Sequence, residues 1–154
     1  MHGEIRLGTR MNYYPSCSRP NLGVGVSPHS DGSSFTFLPQ DDEITSLQIK
    51  HHRRWVPVKP IPNAIVVNIG DVVDSWSNGM YKSIEHRAVI SEKKARISIA
   101  TFVLPEDETT IGPVPRGVAS CQPKMYKNIK YVDYIRCSLS RKMDGKANIE
   151  YLKV

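Results

Sequence analysis

The stretch Val24-Gly25-Val26-Ser27-Pro28-His29-Ser30-Asp31-Gly32-Ser33-Ser34-Phe35-Thr36-Phe37-Leu38 holds two short runs of mixed apolar and polar residues with Gly and Ser between them. Runs of this length with a period near two are the mark of strands with one buried face, and Gly and Ser punctuate them. The same pattern continues outward in both directions, from Arg10 to about Leu104. Candidate strands are Arg10 to Tyr14, Val24 to Asp31, Ser34 to Leu38, Ser46 to Lys50, Trp55 to Val58, Ala64 to Asn68, Ser83 to Ile90 and Arg96 to Leu104. Short strands broken by turn residues predict an all-β barrel or sandwich. Pro57, Pro60 and Pro62 cannot donate to a central ladder, so that segment is expected at an edge or in a loop.

Helices are expected in two places. Asp71 is positioned to cap a short helix over Val72 to Ser77, which Asn78-Gly79 would stop. In Tyr126 to Met143 the residues Ile129, Val132, Ile135 and Leu139 recur three or four apart, predicting an outer helix with one buried stripe. Pro105 to Pro123, rich in Pro, Gly, Asp and Thr, reads as loop.

With 154 residues, 40% hydrophobic and 23% charged, the chain has the make-up of one globular domain with a core of its own. No run approaches the ~18 apolar residues of a membrane span, and MHGEIRLGTR lacks the apolar segment of a secretory leader. The expectation is a cytoplasmic protein with no membrane partner. Cys17, Cys121 and Cys137 are odd in number and widely spaced, which fits reduced thiols better than a disulfide framework or a paired-cysteine zinc site. The net charge of +6 raises the question of nucleic acid. Its excess falls in His51-His52-Arg53-Arg54, in Lys93-Lys94-Ala95-Arg96 and after Lys124, without aromatic interleaving or the spacing of a known DNA-binding motif. These charges read as solvated surface, with no nucleic-acid partner.

Residues i and i+2 of a strand share a face. His29 and Asp31 therefore offer an imidazole and a carboxylate to one ion, and His86 is the candidate third ligand. Two histidines and one carboxylate on one side of a metal leave three positions open, the arrangement of non-haem Fe(II) oxygenases, whereas zinc favours a closed tetrahedron or one open site. Arg96 and Ser98 share a face on which they could hold a carboxylate through charge-assisted hydrogen bonds. A buried Arg96 satisfied by Glu85 or Glu92 is the alternative. Asn12 and Tyr14 form a third such pair, which could equally be ordinary core polar groups. Together the three pairs describe one polar pocket able to hold a metal and a dicarboxylate. Phe35, Phe37, Phe102 and Trp76 are candidates for an aromatic substrate slot or for core. His51 and His52, adjacent on a strand, face opposite ways and read as surface residues.

At these residues the chain closely resembles the plant-type 2-oxoglutarate- and Fe(II)-dependent dioxygenases, in their C-terminal catalytic region. The resemblance rests on Asn12-Tyr13-Tyr14-Pro15, His29-Ser30-Asp31, Trp55-Val56-Pro57-Val58, Asn68-Ile69-Gly70-Asp71, Ser77-Asn78-Gly79, His86-Arg87-Ala88 and Arg96-Ile97-Ser98-Ile99-Ala100-Thr101-Phe102, in the family's order. It implies a double-stranded β-helix, or jelly roll, over residues 1–105, with 106–154 as loop and C-terminal helix packed on the same domain. It implies Fe(II) held by His29, Asp31 and His86, with 2-oxoglutarate and O2 as co-substrates, and admits ascorbate. The far carboxylate of 2-oxoglutarate would meet Arg96 and Ser98, helped by Tyr14 and Asn12. The implied activity is hydroxylation, demethylation or desaturation of a small plant metabolite such as a flavonoid or alkaloid.

Two departures stand out. Ser46 replaces a usual glycine, and His52-Arg53 stand where the family has an Asp-Gly type of turn, so that turn is expected to be strained or reshaped. The family's N-terminal helical region is also expected to be absent. An apolar sheet face is then expected to lie uncovered, with association through it as a hazard for an otherwise monomeric protein. A truncated fragment that keeps the metal pocket and acts as an interaction module is the alternative to an active oxygenase. A cupin-like zinc hydrolase or sugar-binding barrel would not need Arg96 and Ser98.

Overall fold

In the computed structural model, which describes residues 3–19, 23–40, 43–115 and 123–154, the alternating runs are strands. In chain order they are β1 (Arg6–Tyr14), β2 (Val24–His29), β3 (Phe35–Pro39), β4 (Leu47–His51), β5 (Arg54–Pro57), β6 (Ile65–Ile69), β7 (His86–Val89) and β8 (Arg96–Leu104). They form two four-stranded sheets, in the orders β1-β8-β3-β6 and β2-β7-β4-β5, with antiparallel pairing. Two such sheets enclosing a shared interior make the expected double-stranded β-helix. A separate pair joins β9 (Thr110–Ile111), within the expected loop, to β10 (Ile129–Lys130), within the stretch from Tyr126 that the sequence reads as helix.

The β1–β8 ladder positions much of the pocket wall. It runs without a shift from Arg6 opposite Leu104 to Tyr14 opposite Arg96, so Asn12 faces Ser98 and all four polar residues share the inner face. β1 starts earlier than Arg10 because Arg6 to Thr9 continue to pair with β8. The proline-bearing strand β5 lies at a sheet edge, as its missing donors require.

Helix α1 spans Asp71–Trp76. Its N-cap is Gly70 and makes no side-chain capping bond, so Asp71 is the first helical residue rather than the cap. Gly70 is needed for space. A Cβ there would lie 2.0 Å from the Ser33 carbonyl oxygen, against which the chain passes. Asn78 and Gly79 end the segment with φ of 52° and 81°, the left-handed stop their sequence announces.

Helix α2 (Tyr131–Leu139) is shorter than the periodicity over Tyr126 to Met143 suggests, and Leu139 is 81% exposed. The buried face is carried by Tyr131 and Tyr134, three apart, with Ile135 half-buried beside them. A short α3 (Ala147–Glu150) has no counterpart among the expected elements. These helices close a hydrophobic cluster outside the barrel in which Val72 and Trp76 of α1 meet Ile111, Tyr126, Tyr131, Tyr134, Ile149 and Leu152. Inside the barrel the fully apolar cluster is small, with Leu38, Leu47 and Ala100 at its centre.

The departures resolve differently. Ser46 has an ordinary φ and its hydroxyl donates to the Val89 carbonyl, so no glycine is required there. The β4–β5 turn keeps a two-residue form with both His52 (φ 45°) and Arg53 (φ 66°) left-handed, which side chains tolerate poorly. His51 and His52 are exposed. Cys17 and Cys137 are free thiols, while Cys121 and residues 116–122 of the expected loop lie outside the described residues. Among the described residues no helix is long and apolar enough to cross a membrane.

Candidate metal centre

β2 delivers His29 at its last residue, Asp31 follows two residues on, and β7 delivers His86 opposite His29. One ligand atom from each lies within 4.8 Å of the others. The Nε2 atoms of His29 and His86 stand 3.6 and 3.7 Å from the same carboxylate oxygen, Oδ1 of Asp31. Each ring is oriented from behind. Nδ1 of His29 is 2.8 Å from the Ser27 carbonyl and Nδ1 of His86 is 3.1 Å from that of Ile84. A carbonyl oxygen can only accept, so each Nδ1 donates its hydrogen and each Nε2 keeps a lone pair aimed inward. Burial pushes the His29 pKa down, and the neighbouring His86 lowers it further, with Arg10 adding to the same effect. The neutral imidazole that binds a metal is therefore favoured.

The Asp31 carboxylate is divided between two tasks. Its Oδ2 accepts a 2.7 Å hydrogen bond from the Thr36 hydroxyl, which is itself 3.0 Å from the Ser33 hydroxyl, and this leaves Oδ1 to the histidines. Behind the triad sits Asp71, wholly buried, its Oδ2 accepting from Ser30 Oγ at 3.0 Å and Tyr134 OH at 2.7 Å. The Asp71 amide donates to the Asp31 carbonyl at 2.8 Å. Burial raises the Asp71 pKa, and its hydroxyl donors oppose that shift. A second brace comes from the C-terminal segment. Gly145 donates its amide to the Pro28 carbonyl at 2.9 Å, and Lys146 Nζ reaches the Ser83 carbonyl at 3.0 Å and Asp74 Oδ2 at 3.3 Å.

Along the inner wall, Arg96 is 2% and Ser98 3% exposed. The Arg96 guanidinium lies 5.4 Å from the Tyr14 ring centroid and donates to Gln40 Oε1 at 3.1 Å, while Asn12 Nδ2 is 3.5 Å from Ser98 Oγ. Glu85, one of the two acids considered for Arg96, is paired with Lys50 at 2.8 Å instead. Triad, Arg96, Ser98, Tyr14 and Asn12 all line a single pocket, as the three strand-spaced pairs predict. Phe102 lines it too. Phe35 and Phe37 do not, since they lie on the other face of β3 from Thr36, and Trp76 belongs to the cluster outside the barrel.

The pocket also holds residues the sequence did not single out. Thr36 and Asn68 face each other across β3 and β6 and line it, as does Arg10. Polar residues between apolar neighbours, in Phe35-Thr36-Phe37 and Val67-Asn68-Ile69, were the available signal. Asn68 Nδ2 is buried without a hydrogen-bond partner among the described residues, an orphaned donor facing a polar pocket. With two imidazoles and one carboxylate converging, and a guanidinium with hydroxyl and phenol neighbours on the adjoining wall, the donor set fits a divalent metal and an oxygen-rich diacid.

The model of the 2OG-Fe(II) oxygenase superfamily matches residues 7–105. Codeine O-demethylase of Papaver somniferum is 45% identical over 145 residues, which is 94% of this chain and 40% of that protein. Feruloyl CoA ortho-hydroxylase 1 of Arabidopsis thaliana is 41% identical, over 99% of this chain and 42% of that protein. Among solved structures, JOX2 in complex with 2OG, Fe and JA superposes with a TM-score of 0.92 at 37% identity, covering 97% of this chain and 44% of that one. The chain thus spans about two-fifths of the length of the curated relatives it matches.

Proposed function

The chain belongs to the 2OG-Fe(II) oxygenase superfamily, and we propose on that footing that it oxidises a small organic substrate, a plant metabolite of the flavonoid or alkaloid kind, with 2-oxoglutarate and O2. The observation that carries this reading is the convergence of His29, Asp31 and His86 within one pocket that also holds Arg96 and Ser98. In this assignment His29, Asp31 and His86 hold Fe(II), and Arg96 with Ser98, Tyr14 and Asn12 holds the far carboxylate of 2-oxoglutarate. Fe(II) with bound 2-oxoglutarate would supply the oxidising chemistry, 2-oxoglutarate and O2 yielding succinate and CO2 with one oxygen atom left for the substrate.

The chain's own residues do the placing. Thr36 fixes which oxygen of Asp31 meets the metal. The carbonyls of Ser27 and Ile84 fix the imidazole tautomers. Arg96, buried beside Tyr14 and held by Gln40, would give the charge-assisted bonds that set the orientation of the diacid. Named relatives act as an O-demethylase and an ortho-hydroxylase, so demethylation and hydroxylation both fall within the reading, and desaturation beside them. Free Cys17 and Cys137 support a reducing compartment such as the cytoplasm.

Anaerobic titration of the chain with Fe(II) and then 2-oxoglutarate tests the assignment through the visible charge-transfer band of the chelate. The band should form in the unaltered chain and vanish in Asp31→Ala; a folded chain that gives no band would overturn it. A second reading, a module that keeps the metal pocket but works through association, is favoured by the apolar outer face of the β1-β8-β3-β6 sheet, where Met11 is 78% exposed. Substrate-dependent succinate formation separates the two, because the second reading allows the band without turnover.

A further inference from the structure

The register of β1 against β8 arranges the pocket wall in rungs. Tyr14 stands opposite Arg96, Asn12 opposite Ser98, Arg10 opposite Ala100 and Gly8 opposite Phe102. The first two rungs carry the groups assigned above to 2-oxoglutarate. Same-face neighbours on an antiparallel strand are separated by about 6.8 Å, which puts the Arg10 rung about 13 Å along the wall from the Arg96 rung. Arg10 is thus a cation on a separate part of the same pocket; Arg87 also lines it, but its Nε donates to Gln48 Oε1 at 2.8 Å.

Its surroundings make that charge conspicuous. Arg10 is exposed, and among the described residues no carboxylate pairs with it. Other lining residues, Val26, Leu47, Ala88, Ala100 and Phe102, are apolar. A ligand pocket commonly combines an apolar lining with a few polar groups that set orientation, and a guanidinium is suited to a planar carboxylate through two parallel hydrogen bonds.

Resting on the functional reading above, we propose that Arg10 anchors an anionic group of the organic substrate, a carboxylate, while Phe102 packs against its carbon skeleton. The substrate class narrows, within the small-metabolite reading, to an apolar or aromatic acid, which sets aside its alkaloid and neutral-flavonoid branches. Arg10 fixes one end of the molecule, and the triad side of the pocket receives the carbon to be oxidised.

The test uses the full chain with Zn(II) in place of iron, so that nothing turns over, and saturating 2-oxoglutarate. The probes are 3-phenylpropanoate and the uncharged 3-phenylpropanamide, with affinities read by ligand-observed NMR. The acid should bind about tenfold more tightly than the amide, the scale of one charge-assisted contact. That preference should fall to within about twofold in Arg10→Gln and return in part in Arg10→Lys, with 2-oxoglutarate affinity the same in all three. Equal binding of acid and amide, binding of neither, or a preference that survives Arg10→Gln would overturn the proposal. So would a matching loss of 2-oxoglutarate affinity in Arg10→Gln, which would move Arg10 into the co-substrate set. Failure of 2-oxoglutarate to bind the unaltered chain is read first, in its own titration, and sinks the functional reading together with this one.

Discussion

Around the pocket the two faces of the β1-β8-β3-β6 sheet invert the ordinary pattern of a small barrel, although Leu38, Ala100 and Phe102 keep part of the inner face apolar. Its inner face presents Asn12, Tyr14, Thr36, Asn68, Arg96 and Ser98, five of them at 8% exposure or less. Its outer face presents Met11 and Tyr13 of β1, Ile97 of β8, Phe37 of β3 and Val67 of β6, with exposures from 39% to 78%. A sheet with one wet face normally turns its apolar residues inward. Buried polar groups are costly unless they are paired, and here many are paired with one another around a pocket whose donor set suits an ion and a diacid. The inner face is thus organised by a ligand site, and the outer one is an apolar surface of the kind that marks an interaction surface.

The largest effect expected on this contrast comes from Arg96→Leu. Removing the buried guanidinium should weaken 2-oxoglutarate about 100-fold, on the roughly 3 kcal/mol that hydrogen bonds to a charged group contribute. Arg96→Lys keeps the charge without the fork and should lose about tenfold. Both are read by 2-oxoglutarate titration of the metal-loaded chain, with thermal unfolding run alongside. A buried charge replaced by a packed apolar side chain is often neutral or stabilising, so the melting temperature of Arg96→Leu need not fall. If that variant kept its 2-oxoglutarate affinity, the polar inner face would be a packing feature and the contrast between faces would lose its meaning.

Next in size is Tyr134→Phe, which removes a donor from Asp71, behind Ser30 and Asp31. Asp71 ties down Ser30 by its side chain and Asp31 by its amide. Loss of a partner to a buried carboxylate should lower stability by about 1–3 kcal/mol, and loosening of the triad should lower metal affinity about tenfold. Co(II) titration and thermal melts measure the two separately. A loss of stability with unchanged Co(II) affinity would confine Tyr134 to packing.

Much of the barrel and the triad were legible because period-two patterning needs no long-range information. Arg96 with Ser98 and Asn12 with Tyr14 share faces by strand geometry alone, and the β1–β8 register brings the two pairs together; β2 stops at His29, short of the expected Asp31, so Asp31 converges with His29 from just past the strand end. Less legible was which face is inside. Phe35 and Phe37 read as core or substrate slot by hydropathy, yet Thr36 between them faces the pocket and holds Asp31. The C-terminal helix shows the same limit, since Tyr131 and Tyr134 form its buried face while Leu139 is exposed. A tyrosine is placed by where its hydroxyl finds an acceptor, here the Gly32 carbonyl for Tyr131 and Asp71 for Tyr134, and that partner is remote in sequence. Arg10 was missed for the related reason that a single polar residue at the end of an expected strand carries no pattern of its own, whereas Asn68 between Val67 and Ile69 did carry a signal that went unused.

A smaller effect belongs to the other sheet, where it serves as a control. His52 and Arg53 both hold left-handed conformations in the β4–β5 turn, and Asn-Gly is the pair that such a turn favours. The double substitution His52→Asn, Arg53→Gly should raise stability by about 1 kcal/mol, seen as a higher melting temperature, with metal and 2-oxoglutarate affinities unchanged. A fall in melting temperature would mean that the His52 and Arg53 side chains make compensating contacts worth more than the backbone strain.

The smallest expected effect is also the one that most sharpens the comparison. If the outer face takes no part in ligand binding, the triple substitution Met11→Lys, Ile97→Thr, Val67→Thr should leave 2-oxoglutarate affinity within about twofold, because exposed positions away from special features seldom shift stability by more than about 0.5 kcal/mol. Threonine keeps the β-branched shape that suits a strand in place of Ile97 and Val67. The Met11→Lys change puts a charge on the edge strand β1, where it discourages edge pairing. Over the same substitutions, binding of a hydrophobic dye and concentration-dependent self-association should both fall, since the exposed apolar area is what drives them. Loss of 2-oxoglutarate affinity with the fold intact would show that the two faces are coupled through the backbone of β1 and β8, and the outer surface would then have to be counted as part of the site.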